Sequence, residues 1–385
     1  MNYNILSKLP DVGTTIFTTM SKMANENGAI NLSQGFPDFE VSTDLIELIS
    51  SYMKKGLNQY APMSGVPHLS NAISKMIANT RNVMVNSENE ITVTSGATEA
   101  IYDIITATVQ KNDEVILFDP AYDCYDPAIR LSGGTPIHIK LTQPDFSIDW
   151  EVVKNHINPR TKMIMINTPH NPTGAVLSQK DLNSLEDLIK DTNILVLSDE
   201  VYEHIIFDDK AHESVLKYPN LRQRSAAVYS FGKTFHATGW KMGYVVAPSW
   251  WTIEIRKVHQ FVTFCSNTPV QYALADFIAE PENYEYVPRL YQEKRNYFTN
   301  LVKESNFKPV KCSGTYFQLL SYNNVEELCH LNDMEAAEKL TKKYGLASIP
   351  ISVFYGDRQD DKLLRFCFAK GKETLKKATE ILCKI

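Results

Sequence analysis

The sequence has no apolar run approaching the roughly 20 residues that a helix needs to cross a bilayer, and its opening stretch, MNYNILSKLPDVG, lacks the charged leader and apolar core of a secretory signal. A cytoplasmic protein with no membrane partner is therefore expected. Cysteine is sparse: Cys124, Cys265, Cys312, Cys329, Cys367 and Cys383 are scattered with no C-x-x-C pair, which argues against both a disulfide scaffold and a zinc site. The nine histidines show no H-E-x-x-H or comparable ligand spacing, so no metal is expected. Long blocks of one charge are also missing. The formal net charge of -6 is spread along the chain and leaves no electrostatic footprint for nucleic acid. Any anion this protein binds must be held locally, by a few well-placed groups.

What is present suits an enzyme-sized body of roughly two domains: 385 residues with 43% hydrophobic composition, ample for a sizeable core. Seven short apolar runs recur through the middle of the chain, ITVTSG, EVILFDP, PIHIKL, KMIMINTP, ILVLSDE, AAVYSFG and GYVVAP. Their near-continuous character, rather than strict alternation, suggests strands buried on both faces. Helical patterns lie between them. ATEAIYDIITATVQ puts Ala97, Ile101, Ile104, Ile105 and Val109 on one face, and SQKDLNSLEDLIK does the same with Leu182, Leu185, Leu188 and Ile189. Alternating strand and helix predicts an α/β layer with a mostly parallel sheet. After about residue 280 the pattern changes to long charged helices broken by GTYFQLLSY and LLRFCFAK, which predicts a smaller α+β domain. The expected division is an arm over 1–45, a large domain over 46–280 and a small domain over 281–385.

Open parallel sheets place ligands beyond the carboxyl ends of their strands, so the polar residues that end these runs should converge at 95–98, 119–122, 167–171, 199–202 and 230–233. SGATEA sets Gly96 at a strand end and Ala97 and Thr98 at a helix start, where backbone N–H groups and the helix dipole favour a phosphate. Ser230 and Lys241 in SFGKTFHATGWKMGY supply a second set of donors. The remaining lysine of that stretch, Lys233, would trap a carbonyl if buried, and Asp199 would keep a pyridine nitrogen protonated. Taken singly, Asp199 could equally cap a helix over EVYEHI and Lys233 could be a surface lysine. Together with a phosphate cradle they describe pyridoxal phosphate chemistry. Tyr122 could stack on the ring, Asn171 and Tyr202 could hydrogen-bond its phenolic oxygen, and Asn167 could line the approach.

These ordered motifs, from NLSQGFPDF through NQYAPMSGVPHL, SGATEA, DPAYDCY, NTPHNPTG, SDEVYEH and SFGKTFHATGWKMGY to LLRFCFAK, span nearly the whole chain and resemble the class I aminotransferases of the pyridoxal phosphate fold type I superfamily. Their wording is most similar to the branch containing methionine and kynurenine aminotransferases. The resemblance implies an α/β large domain with a mostly parallel seven-stranded sheet flanked by helices, and pyridoxal 5′-phosphate held covalently by Lys233. It assigns Lys233 the proton shuttle, Asp199 the ring nitrogen, Tyr202 and Asn171 the phenolic oxygen, and Tyr122 the ring face. Gly96, Ala97, Thr98, Ser230 and Lys241 would cradle the phosphate. Tyr60 would reach the phosphate of a partner subunit, which implies a homodimer with shared active sites. Arg365 would grip the carboxylate of an amino acid or 2-oxo acid substrate, assisted by Asn171, Asn167 and the backbone near Gly35; from its local residues alone, Arg365 could instead anchor a strand edge by an ion pair. HQFVTFCSNTP resembles the partner-subunit wall that selects side chains; it offers Phe261 and Phe264 and no arginine, while Phe17 and Phe36 could close the pocket from the arm. An apolar amino donor, methionine or an aromatic one, kynurenine or glutamine, is expected. The same residues would also serve a carbon–sulfur β-lyase, and a non-catalytic cofactor-binding regulator is a third reading.

Overall fold

The computed structural model describes residues 5–385; the first four residues of the arm and of the opening stretch lie outside the described residues. The arm carries helix α1 (Ile16–Glu26), capped by Thr15, whose hydroxyl accepts from Thr18 N. Beyond it the short segment Ile30–Asn31 pairs in parallel with Leu346–Ala347 near the other end of the chain.

The seven apolar runs all form strands of one sheet: β1 (Ile91–Thr94), β2 (Glu114–Asp119), β3 (Thr135–Lys140), β4 (Thr161–Asn167), β5 (Leu195–Asp199), β6 (Ser225–Ser230) and β7 (Gly243–Val246), in the spatial order β1-β7-β6-β5-β4-β2-β3. Helices cover the sheet, among them α2 (Ala97–Thr108), α3 (Tyr125–Leu131), α4 (Gln179–Ile189) and α5 (Ser249–Val262). α4 starts from a reciprocal capping box between Ser178 and Asp181. Strands β1, β2 and β7 are buried at every residue. PIHIKL departs from this, because β3 is an edge strand whose only neighbour is β2, and of its residues only Ile139 is buried.

One strand reverses direction. β7 runs antiparallel to both neighbours, β1 and β6, while the rest of the sheet is parallel. The beginning of β7, rather than its end, therefore lies at the carboxyl edge of the sheet. Gly243 faces Thr94 on one side and Ser230 on the other. A Cβ at Gly243 would come within 2.7 Å of the Tyr229 carbonyl oxygen and 2.9 Å of Ala97 N, so only glycine lets the three backbones meet there.

A second sheet of four strands, β8 (Lys308–Pro309), β9 (Phe317–Ser321), β10 (Ile349–Pro350) and β11 (Leu363–Cys367), has the order β10-β11-β9-β8 and is antiparallel throughout. GTYFQLLSY and LLRFCFAK supply its central pair, which sets Arg365 opposite Leu319 in the middle of the sheet. No helix among the described residues is long and apolar enough to cross a membrane.

Candidate active site

The carboxyl ends of β1, β4, β5 and β6, the start of β7, the arm and the small sheet enclose one cavity of about 280 Å³. It is lined by Phe17, Gly35, Gly96, Ala97, Thr98, Tyr122, Asn167, Asn171, Asp199, Tyr202, Ser230, Lys233, Lys241 and Arg365. Of the residues singled out from sequence for the site, Tyr60, Phe264, Phe261 and Phe36 are absent from this wall. Tyr60 and Phe264 stand together elsewhere, their rings edge to face at 5.5 Å, with Tyr60 85% exposed. Phe261 is equally exposed, and Phe36 lies outside the cavity with Lys370 Nζ over its ring.

At one end, Gly96 is the N-cap of α2, with φ of 85° and no side-chain hydrogen bond to the first turn. The helix thus presents unsatisfied N–H groups. A Cβ at Gly96 would lie 3.4 Å from Lys241 Nζ, which places that ammonium beside the helix end. Lys241 itself adopts a left-handed backbone, φ 55°, in the bend that feeds β7.

Lys233 belongs to a single helical turn, Phe231–Thr234, directly after β6. Its ammonium lies 5.7 Å from the ring centre of Tyr202 and 5.9 Å from that of Tyr316. Burial, followed by the charge of Arg365, lowers its pKa to about 8. Asp199 ends β5 and is 4% exposed. Burial raises its pKa to about 6 against the hydrogen bond it accepts from Tyr125 Oη at 2.6 Å and that from Val201 N at 3.2 Å. No helix follows Asp199; residues 201–204 form turns, so the helix-cap reading fails.

Asn167 and Asn171 form a relay between the two sheets. Asn167 Nδ2 donates to the Asp199 carbonyl at 2.9 Å, and its Oδ1 accepts from Asn171 N at 2.8 Å. Asn171 Oδ1 in turn accepts from Arg365 Nη1 at 2.9 Å, while Arg365 Nη2 donates to the Ser33 carbonyl at 3.1 Å. The guanidinium is 1% exposed, stacks 3.9 Å above Phe317 and 5.1 Å from Phe17, and leaves Nε without a partner. Among the described residues no carboxylate lies within ion-pair distance of Arg365, which removes the strand-edge ion pair as its explanation. A buried cation with only neutral acceptors favours an incoming anion.

Sequence reasoning missed Tyr125. It lines the cavity and its hydroxyl holds Asp199, yet in DPAYDCY it looks like any core tyrosine; its three-residue spacing from Tyr122 at a strand end was the available signal. The wall as a whole fits pyridoxal phosphate: an open helix end with an ammonium beside it for phosphate, a buried acid for a ring nitrogen, and a buried amine of lowered pKa for an aldehyde.

Residues 27–382 match the family model described as aminotransferase class I and II. The chain belongs to that family. It is a pyridoxal-phosphate-dependent aminotransferase, an enzyme that moves an amino group between an amino acid and a 2-oxo acid. It is 49% identical to the methionine aminotransferase of Escherichia coli over 98% of this chain and 97% of the relative. To human kynurenine–oxoglutarate transaminase 3 it is 31% identical, over 99% and 90% of the two chains. A solved Escherichia coli structure, reported as identifying a methionine aminotransferase function, superposes with a TM-score of 0.97 at 48% identity, covering 100% of both chains. The N-succinyldiaminopimelate aminotransferase of Mycobacterium tuberculosis superposes with a TM-score of 0.94 at 31% identity, covering 99% and 100%. The fold is that of the type I aminotransferases.

Proposed function

We propose that this aminotransferase takes its amino group from an apolar L-amino acid, methionine foremost, with aromatic amino acids, kynurenine and glutamine as further candidates. The observation that carries this reading is the set of cations in the cavity. Lys233, Lys241 and Arg365 line it, and no carboxylate pairs with any of them among the described residues. Each has one task in the reading. Lys241, with Ser230 and the Gly96–Thr98 turn, takes the phosphate. Lys233 bonds the cofactor and, when displaced, carries the proton to and from the substrate α-carbon. Arg365 takes the α-carboxylate, with Asn171, Asn167 and the backbone at Gly35 fixing its orientation.

No cation is left in this wall for a second carboxylate, so a dicarboxylic donor would bury an unpaired charge. Phe17 and Phe317 offer apolar surface instead. The name of the Escherichia coli relative supports methionine, and those of the kynurenine transaminases support a broader aromatic range.

Asp199, held by Tyr125, keeps the ring nitrogen protonated; Tyr202 and Asn171 take the phenolic oxygen; Tyr122 packs on the ring. The bound cofactor supplies the electron sink for breaking a bond at the α-carbon. Because Arg365 neutralises the carboxylate, the proton rather than carbon dioxide is the group lost. Tyr60 and Phe264 belong to the site of a neighbouring copy in this reading, so the working unit is a homodimer. The division into an arm (1–45), a large domain (46–280) and a small domain (281–385), and a place in the cytoplasm, complete it.

The test is the absorbance of the cofactor-loaded protein on adding L-methionine and, separately, L-aspartate. The band of the lysine-bound cofactor is expected to collapse to the amine form with methionine and to hold with aspartate. Equal responses would overturn the apolar pocket, and release of pyruvate and ammonia from cysteine conjugates without keto-acid amination would favour the β-lyase.

A further inference from the structure

One cluster of titratable side chains lies directly behind the phosphate end of the cavity. Glu99 and Asp103, one turn apart on α2, face His259 of α5, and both Asp103 and His259 are fully buried. His259 Nε2 is 2.9 Å from the Met63 carbonyl oxygen, which can only accept, so this nitrogen carries hydrogen. His259 Nδ1 is 2.7 Å from Glu99 Oε1 and 3.5 Å from Asp103 Oδ2. A bare lone pair there would face carboxylate oxygens, so the second nitrogen carries hydrogen too. The ring is an imidazolium. Its burial opposes the charge, but the hydrogen bonds and charges of Asp103 and Glu99 outweigh that and hold its pKa at about 9.

Glu99 is the third residue of α2, and its other oxygen accepts the N–H of Ser95, the residue before the Gly96 cap. A carboxylate in this place uses the positive end of the helix and repels any phosphate brought to the same turn. The helix end that carries Gly96, Ala97 and Thr98 would therefore be a poor anion site unless the charge on Glu99 were cancelled. We propose that His259 is a positioning residue for the cofactor's phosphate: a buried imidazolium that neutralises Glu99 and so leaves the first turn of α2 free to attract the phosphate. Its second N–H fastens Met63, in the loop that carries Tyr60, so the same ring ties the phosphate turn to that loop. The inference rests on the phosphate assignment proposed above.

The test compares two ligands on the full-length protein stripped of cofactor: pyridoxal 5′-phosphate, and pyridoxal without the phosphate, each titrated by tryptophan fluorescence. His259→Gln is expected to weaken pyridoxal phosphate about tenfold and to leave pyridoxal unchanged. The double variant His259→Gln with Glu99→Gln should regain most of the loss, because it removes the charge that His259 cancels. Equal weakening of both ligands, no weakening, or no rescue overturns the proposal, since a merely structural ring would not sense the phosphate. If His259→Gln does not fold, Glu99→Gln alone decides: phosphate-selective binding as tight as wild type or tighter supports the role, and weaker binding overturns it. Should the wild-type protein bind both ligands equally, the phosphate assignment itself fails instead. A stoichiometric divalent cation found in the purified protein and lost in Asp103→Asn would also overturn the proposal, by putting a metal where the proton is assigned.

Discussion

Lys233 is an amine made reactive by its surroundings. Burial and the nearby charge of Arg365 both disfavour the ammonium, and together they lower its pKa to about 8 from the ordinary 10.5. The neutral, nucleophilic form thus dominates above about pH 8, where an unperturbed lysine would be less than about 1% neutral. When pyridoxal phosphate is added to the stripped protein, the rate of appearance of the coloured lysine-bound form should rise with pH up to about 8 and then level. A rate that keeps climbing towards pH 10 would show that the pocket does not perturb the amine. Lys233→Ala should remove the coloured band and still bind the cofactor. The place of this residue in the cavity was legible because Ser-Phe-Gly-Lys ends an apolar run. The hold of Tyr125 on Asp199 was not, since a tyrosine that packs and a tyrosine that donates to a buried acid read alike.

At the scale of elements, the reversal of β7 brings the proposed phosphate end together. The hairpin of β6 and β7 carries Ser230 and Lys233 at the end of one strand and Lys241 at the entry to the other. Gly243 is where this hairpin touches the turn that opens α2. Gly243→Ala should push the Tyr229 carbonyl and Ala97 N apart, costing about 1–3 kcal/mol of stability as overpacking does. It should weaken pyridoxal phosphate more than pyridoxal. Thermal unfolding and ligand titration check both, and an unchanged melting temperature would mean that the strands yield without strain. All seven strands were legible as apolar runs, six of them because two-sided burial makes such runs. The direction of β7 was not, for GYVVAP reads equally well in either sense; nor was the edge position of β3, which only its neighbours decide. The contact of Glu99 with His259, 160 residues apart in the chain, had no local signature.

For the whole molecule, the telling feature is the set of predicted site residues that the single chain leaves outside its own cavity. Tyr60 is 85% exposed, Phe261 equally so, and Phe264 is 44% exposed. A partner-borne Tyr60 makes a sharp prediction. Mixing Lys233→Ala protomers with Tyr60→Ala protomers should regenerate activity that neither variant has alone. Random pairing makes half the dimers mixed, each with one intact site, so about a quarter of wild-type activity is expected. Mixed samples no more active than the separate variants would return Tyr60 to an ordinary surface role. The motifs named Tyr60 and Phe264 from sequence, but composition does not tell the exposed face that holds them from any other exposed face. Within the chain, Arg365 touches distant parts of the sequence at once: it stands on β11, bonds Asn171 after β4, and bonds Ser33 of the arm. A carboxylate seated on it adds one more tie at the seam where the first, middle and last stretches of the chain meet. On the role proposed for Arg365 the substrate would also be a fastener, and an occupied enzyme should come apart, under heat or protease, later than an empty one.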